Sequence, residues 1–292
     1  MRIVVDSNQM QSEELRGLLS ASADNMAVLT DYAAMEAFGG DSLLSIQASW
    51  TVLRDFPRQI LALKGTRAAA LVEPRTPGIG KRLVSKTETK AIADFSGLLD
   101  RAAAGDRSVQ SQLLKRGKWA ADHMKSMLAK AGDMHLSISE FSAHFTDAEL
   151  QRMRRNEQWK PETGTKFLEL VDRLTANSFA AHPDKPRWPN NKNLVDHFLF
   201  RHTLTYLVYM MRLVQKGAVT RKAKHARNDA VDVIFATYAT FFNGLLTADE
   251  EAGAVHYLAR GMLNQIGARM PEDFMAPYHR QVAIEKEISA TG

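Results

Sequence analysis

Residues 1–8 read MRIVVDSN. Ile3, Val4 and Val5 run together without polar alternation, the pattern of a strand covered on both faces, as in a parallel sheet. Asp6 closes that strand. In open α/β sheets, ligands bind at the carboxyl ends of the strands, where loops leave and side chains converge on a crevice. A carboxylate at that position points to a site, provided other parts of the chain supply partners for it.

Working outward, QSEELRGLLSASADN predicts a helix, with Ser12 as its cap, Glu13 and Glu14 in its first turn and Leu15, Leu18 and Leu19 on one face. MAVLT predicts a second strand. DYAAMEAFGG predicts a short helix capped by Asp31 and stopped by its glycine pair, and SLLSIQASWTVLRDF a further helix ended by Pro57. QILALKGT predicts a third strand. Strands alternating with helices in this order predict an α/β fold with helices packed on a mostly parallel sheet.

The centre of the chain has another character. RTPGIGKR is a basic Gly/Pro loop that lacks phosphate-loop spacing. From Thr89 to about Leu150 the periodicity is helical, HPDKPRWPNNKN is a loop, and residues 194–214 form a long apolar helix. Arg201, His202 and Arg212 interrupt that helix, so a buried helix rather than a membrane span is expected. Strand and helix alternation returns near the end: a helix from Asp229 to Phe242, Asn243-Gly244 as its stop, a short strand LLT, Asp249 at that strand's carboxyl end, and a last helix. The predicted organisation is one domain over 1–292, its α/β core drawn from 1–70 and 225–292, with a mainly helical insertion over about 71–224.

Charge is segregated along the 292 residues. Residues 1–55 hold 3 Lys/Arg against 8 Asp/Glu, and residues 229–292 hold 4 against 9, while residues 56–228 hold 31 against 16, a net +15. A basic centre between acidic ends suits a polyanionic partner, because clustered cations neutralise phosphates and release counterions. Lys81 and Arg82 in the Gly/Pro loop, and Lys222, Lys224 and Arg227 just ahead of Asp229, are the candidates for phosphate contact. The chain has no cysteine, so disulfides, thiolate metal sites and cysteine nucleophiles are excluded. Without a basic start and apolar run at residues 1–20, a cytoplasmic protein is expected.

The acids form a set. Asp6 and Asp249 each follow a strand, Asp229 and Asp232 share a helical face near a helix start, and Glu36 sits on the short helix after the second strand. In a parallel sheet these positions come to one edge. Carboxylates gathered there repel one another unless a hard cation neutralises them, and oxygen-only ligands suit Mg²⁺ or Mn²⁺. Asp229 as a helix N-cap and Glu36 as a solvated helix residue are the plain alternatives.

At these residues the chain resembles the PIN-domain nucleases, a family that includes the ribonuclease toxins of bacterial toxin and antitoxin pairs. VVDSN is similar to the family's opening strand, VLTDYAAMEAF to its second motif with Thr30 and Glu36, and NDAVDVIFATYATFFNGLLTAD to its C-terminal motif. The resemblance implies a PIN-like fold and a Mg²⁺ or Mn²⁺ site made by Asp6, Glu36, Asp232 and Asp249, held by Asn8 and Thr247. Asp229 competes with Asp232 for the third place or contributes beside it. It also implies hydrolysis of RNA or single-stranded DNA, and leaves room for a regulatory protein partner. The motifs span about 60 residues at the front and 40 at the back, and the chain is about twice the length of a typical member. A nucleic-acid or protein binding module of the same fold, without catalysis, is the alternative.

Overall fold

A computed structural model describes residues 1–38, 43–75, 78–131, 137–218 and 223–275. The elements in chain order are β1 (Arg2–Val5), α1 (Glu13–Ala21), β2 (Met26–Leu29), α2 (Asp31–Phe38), α3 (Leu43–Ser49), β3 (Ile60–Ala62), α4 (Thr66–Ala69) and α5 (Ile79–Leu83). There follow α6 (Lys86–Ala103), α7 (Arg107–Ala131), α8 (Ile138–Ser142), α9 (Asp147–Arg154), α10 (Pro161–Ala181) and α11 (Asn191–Leu194). The last are α12 (Phe198–Gln215), α13 (Ala223–Ala239), β4 (Leu245–Leu246) and α14 (Glu250–Gln265).

The four strands form one parallel sheet in the order β3-β2-β1-β4. Ile3, Val4 and Val5 are wholly buried, as their unbroken apolar run requires. β1 pairs with β2 at Arg2↔Met26 and with β4 at Val4↔Leu245. The chain winds from β1 through β2 to β3 on one side, then returns to lay β4 on the other. The strand order therefore reverses between β1 and β4, the switch point where open sheets leave a crevice beyond their carboxyl ends. Gly244 makes the entry to β4 at a φ of +130°, and a Cβ there would meet Asp273 Oδ1 at 2.5 Å, so glycine is required.

Two apolar clusters meet along the helices that follow. One contains the strands together with Leu15, Trp50, Phe95, Leu99, Leu113 and Phe235, so α6 and α7 pack into the same core as the sheet. The other gathers Phe141, Met153, Phe167, Leu207 and Met211 from α8, α9, α10 and α12 against Val233 of α13 and Leu263 of α14. α13 contributes to both clusters, and it is the helix that carries Asp229 and Asp232.

Several boundaries differ from the sequence expectation. α2 is capped by Thr30, whose Oγ1 accepts from Ala33 N at 3.1 Å, and Asp31 is its first residue. α3 ends at Ser49 because Trp50, Val52 and Leu53 turn into the core through short 3-10 turns. The helix expected from residue 194 begins only at Phe198, as α12, capped by His197 Nδ1, which accepts from Leu199 N at 3.1 Å, and the short α11 forms mostly within the stretch expected as a loop. α13 starts at Ala223, six residues ahead of Asp229, since its Ala, Lys and Arg residues favour helix. Asp229 is therefore not an N-cap.

Candidate functional site at the carboxyl edge of the sheet

Asp6 leaves the end of β1 with its side chain buried, and the fold grips one of its oxygens from both sides of the switch point. Asn8 Nδ2 donates to Asp6 Oδ2 at 2.8 Å and Thr247 Oγ1 donates to the same atom at 2.6 Å. Asn8 Oδ1 in turn accepts from Ala248 N at 3.2 Å, and Thr247 Oγ1 accepts from Asp249 N at 3.0 Å. This ring joins the exits of β1 and β4, and it places Asp249 two hydrogen bonds from Asp6. Asp6 Oδ1 has one long contact, from Ser7 Oγ at 3.4 Å.

The other acids arrive from helices. Glu36, on α2, keeps part of its surface exposed at the mouth and hydrogen-bonds the Ser7 hydroxyl; partial desolvation by its surroundings, and then the charge of Asp6, raise its pKa. Asp229 and Asp232 share a face of α13; Asp229 is buried and accepts a hydrogen bond from the Tyr209 hydroxyl of α12. Asp249 is exposed, and its Oδ1 caps α14 by accepting from Glu251 N at 2.7 Å and Ala252 N at 2.9 Å. The cap leaves Oδ2 of Asp249 for other work.

Electrostatics registers the convergence. Burial, then the charges of Asp249, Asp6, Asp229 and Glu36 in turn, push the Asp232 carboxyl up to about 8. Burial also raises Asp6 and Glu36, against the hydrogen bonds that lower them. Five carboxylates are thus within electrostatic reach of one point, and cationic side chains do not figure among the causes of these three shifts. Among the described residues, no three acidic or histidine side chains are already drawn together as a metal-holding group.

The basic residues expected near the site fare unequally. Arg82 on α5 spends its guanidinium on the carbonyls of Glu73, at 3.2 Å, and Arg75, so it braces a loop. Lys81 beside it is exposed. Lys222 lies outside the described residues, and of Lys224 and Arg227 only the helical backbone is described.

Sequence reasoning missed three residues here. Tyr209 lies within the apolar helix over 194–214, and periodicity carries no sign that its hydroxyl reaches Asp229. Ser7 bridges Asp6 and Glu36. Asp31, expected as a cap, is a further acid at the carboxyl end of β2, raised by burial and pressed against Gly65, where a Cβ would meet its Oδ2 at 2.7 Å. The signal for Asp31 was present, since LTD repeats the strand-then-acid pattern of VVD.

Fold and site together define an α/β protein with a parallel sheet and a cluster of acids at its switch point. Comparisons with models of protein families, with curated proteins and with solved structures found no match. No helix among the described residues is long and apolar enough to cross a membrane.

Proposed function

We propose that the protein is a metal-dependent nuclease of PIN-like type that hydrolyses phosphodiester bonds of RNA or single-stranded DNA. One observation carries this: Asp6, Glu36, Asp229 and Asp249, from four separate segments, all press on Asp232 at the carboxyl edge. The VVDSN, TDYAAME and TAD motifs support it, because they place these acids in the order of the PIN-domain nucleases. Their acids would hold Mg²⁺ or Mn²⁺, with Asp6, Glu36, Asp232 and Asp249 as ligands and Asp229 beside them. When bound, the ion supplies an activated water and neutralises charge developing on the scissile phosphate.

The protein's own groups do the rest. Asn8 and Thr247 fix Asp6 by occupying its Oδ2, which leaves Oδ1 for a ligand. Tyr209 holds Asp229 in the same way, and Ser7 sets the distance between Asp6 and Glu36. Asp6 and Asp229 form a buried floor, while Glu36 and Asp249 stand exposed at the mouth, so a strand can approach from solvent. The net +15 of residues 56–228 would draw a polyanion towards that mouth.

The test is incubation of purified protein with end-labelled RNA and single-stranded DNA, in Mn²⁺, in Mg²⁺ and in chelator. The expected outcome is cleavage with either ion, none with chelator, and a loss of at least about 1,000-fold in Asp6→Asn. Equal cleavage by parent and variant refutes the proposal. Binding without cleavage under every condition favours the non-catalytic binding module.

A further inference from the structure

α7 carries a feature that its packing does not use. The helix buries Val109, Leu113 and Ala120 against the sheet core, yet Trp119 is 64% exposed. Its ring lies on that of His123, centroids 5.0 Å apart and planes within 9°. Trp119 and His123 are four residues apart, so they share a face, and Lys115 and Arg116 lie on that face one turn earlier. All four are exposed. A single exposed apolar side chain is ordinary; what sets Trp119 apart is that its flat ring is backed by His123 and flanked by two cations on one helical face.

Its location is equally specific. α7 packs on α2 and on α13, the helices that carry Glu36 and Asp232. His123 is also near enough to Asp31, at the first turn of α2, for its charge to act on that carboxyl. The aromatic pair therefore borders the same edge of the molecule as the acidic site.

We propose that this face of α7 is a stacking platform for single-stranded nucleic acid: one unpaired base lies on Trp119, backed by His123, while Lys115 and Arg116 meet the adjoining phosphates. The proposal rests on the nuclease function above and deepens it, because it assigns the substrate class. Every base has a π-face, so stacking tolerates any sequence, but a duplex hides those faces. The cations supply the salt-dependent grip and the indole selects for unpaired strands.

The experiment is fluorescence anisotropy of labelled 12-nucleotide RNA and DNA strands, in chelator so that none is cut. Parent, Trp119→Ala and Trp119→Phe are compared on single strands, on the matching duplex and on an abasic strand of equal length. Trp119→Ala should weaken binding to base-bearing strands about 10-fold and leave the abasic strand unchanged, while Trp119→Phe keeps most of the affinity. Removing both Lys115 and Arg116 should lower the slope of log affinity against log salt by about 1.4. The side chain's exposure predicts an unchanged melting curve for Trp119→Ala. Parent-like binding by Trp119→Ala, or an equal loss on the abasic strand, overturns the platform. Tighter binding of RNA or of DNA names the strand without affecting it. Cleavage plays no part in this readout: a parent that binds this way and cuts nothing sinks the nuclease alone.

Discussion

Two of the places where the molecule gathers charge treat it in opposite ways. Between α11, α12 and the chain beyond α14, Arg201 is wholly buried against Asp196 at 2.6 Å. Its other donors reach Val195 O at 3.1 Å, Thr240 O at 2.8 Å and Arg269 O at 2.9 Å, and its guanidinium lies 4.1 Å over Phe241. Asp196 Oδ1 also accepts from Arg269 N at 3.1 Å. Every charge there is answered. At the carboxyl edge of the sheet, the charges of Asp249, Asp6, Asp229 and Glu36 all bear on the Asp232 carboxyl, and no cation is among the causes of its shift. Removing one partner of a compensated pair strands a buried charge, whereas like charges set close together cost stability as they stand.

Breaking the compensated side should have the largest effect. Arg201→Ala leaves Asp196 buried and unpaired, and should cost about 3–5 kcal/mol in urea denaturation, whereas replacing both residues by apolar ones of similar size should cost far less. A loss under 1 kcal/mol would mean that the pair is not what joins these helices.

Next comes His197, buried at the start of α12 and held neutral, its pKa lowered by burial to about 4. The unfolded histidine takes up a proton below about 6.5 while the folded one resists, so stability is full above pH 6.5 and falls on acidification towards pH 4. The integrated loss is about 3 kcal/mol. Asn at this position preserves the cap and should flatten that part of the pH profile; an unchanged slope in His197→Asn would assign it to another group.

The crowded side should respond with the opposite sign. Asp232→Asn removes a charge whose folded pKa is raised, so without divalent cation the variant should be more stable than the parent, by roughly 1–3 kcal/mol at pH 8. The gap should close as the pH falls towards 4. Millimolar Mn²⁺ should raise the melting temperature of the parent and not that of the variant. If Asp232→Asn is the less stable protein at pH 8, the carboxylates are not in conflict.

The smallest effect separates two uses of one residue. Asp249→Ala should lose about 1 kcal/mol because α14 loses its cap, while Asp249→Asn keeps the cap and its stability. Both should lose cleavage. If Asp249→Asn cuts like the parent, capping is the residue's whole role.

Much of this architecture was legible in the letters. The unalternating Ile3-Val4-Val5, the capped α1, MAVLT and QILAL mark their elements by local rules of burial and capping, and together they specify an α/β fold with a parallel sheet. Helix ends were less legible, because Trp50 and His197 change the course of the chain through contacts with distant segments. Asp6, Glu36, Asp229, Asp232 and Asp249 were each nameable, as strand ends and helix faces are properties of short stretches.

By itself, the sequence determined which residues are acids at strand ends and which strands lie buried, since both follow from neighbours within a few positions. Only the tertiary structure decided that β4 lies beside β1 rather than β3, which brings Thr247 onto Asp6 across 241 residues. It also decided that Tyr209 reaches Asp229 and that α7 packs on both α2 and α13. The physical reason is that strand order and helix docking are settled by the burial of whole faces against one another, a sum over both apolar clusters that no local window contains.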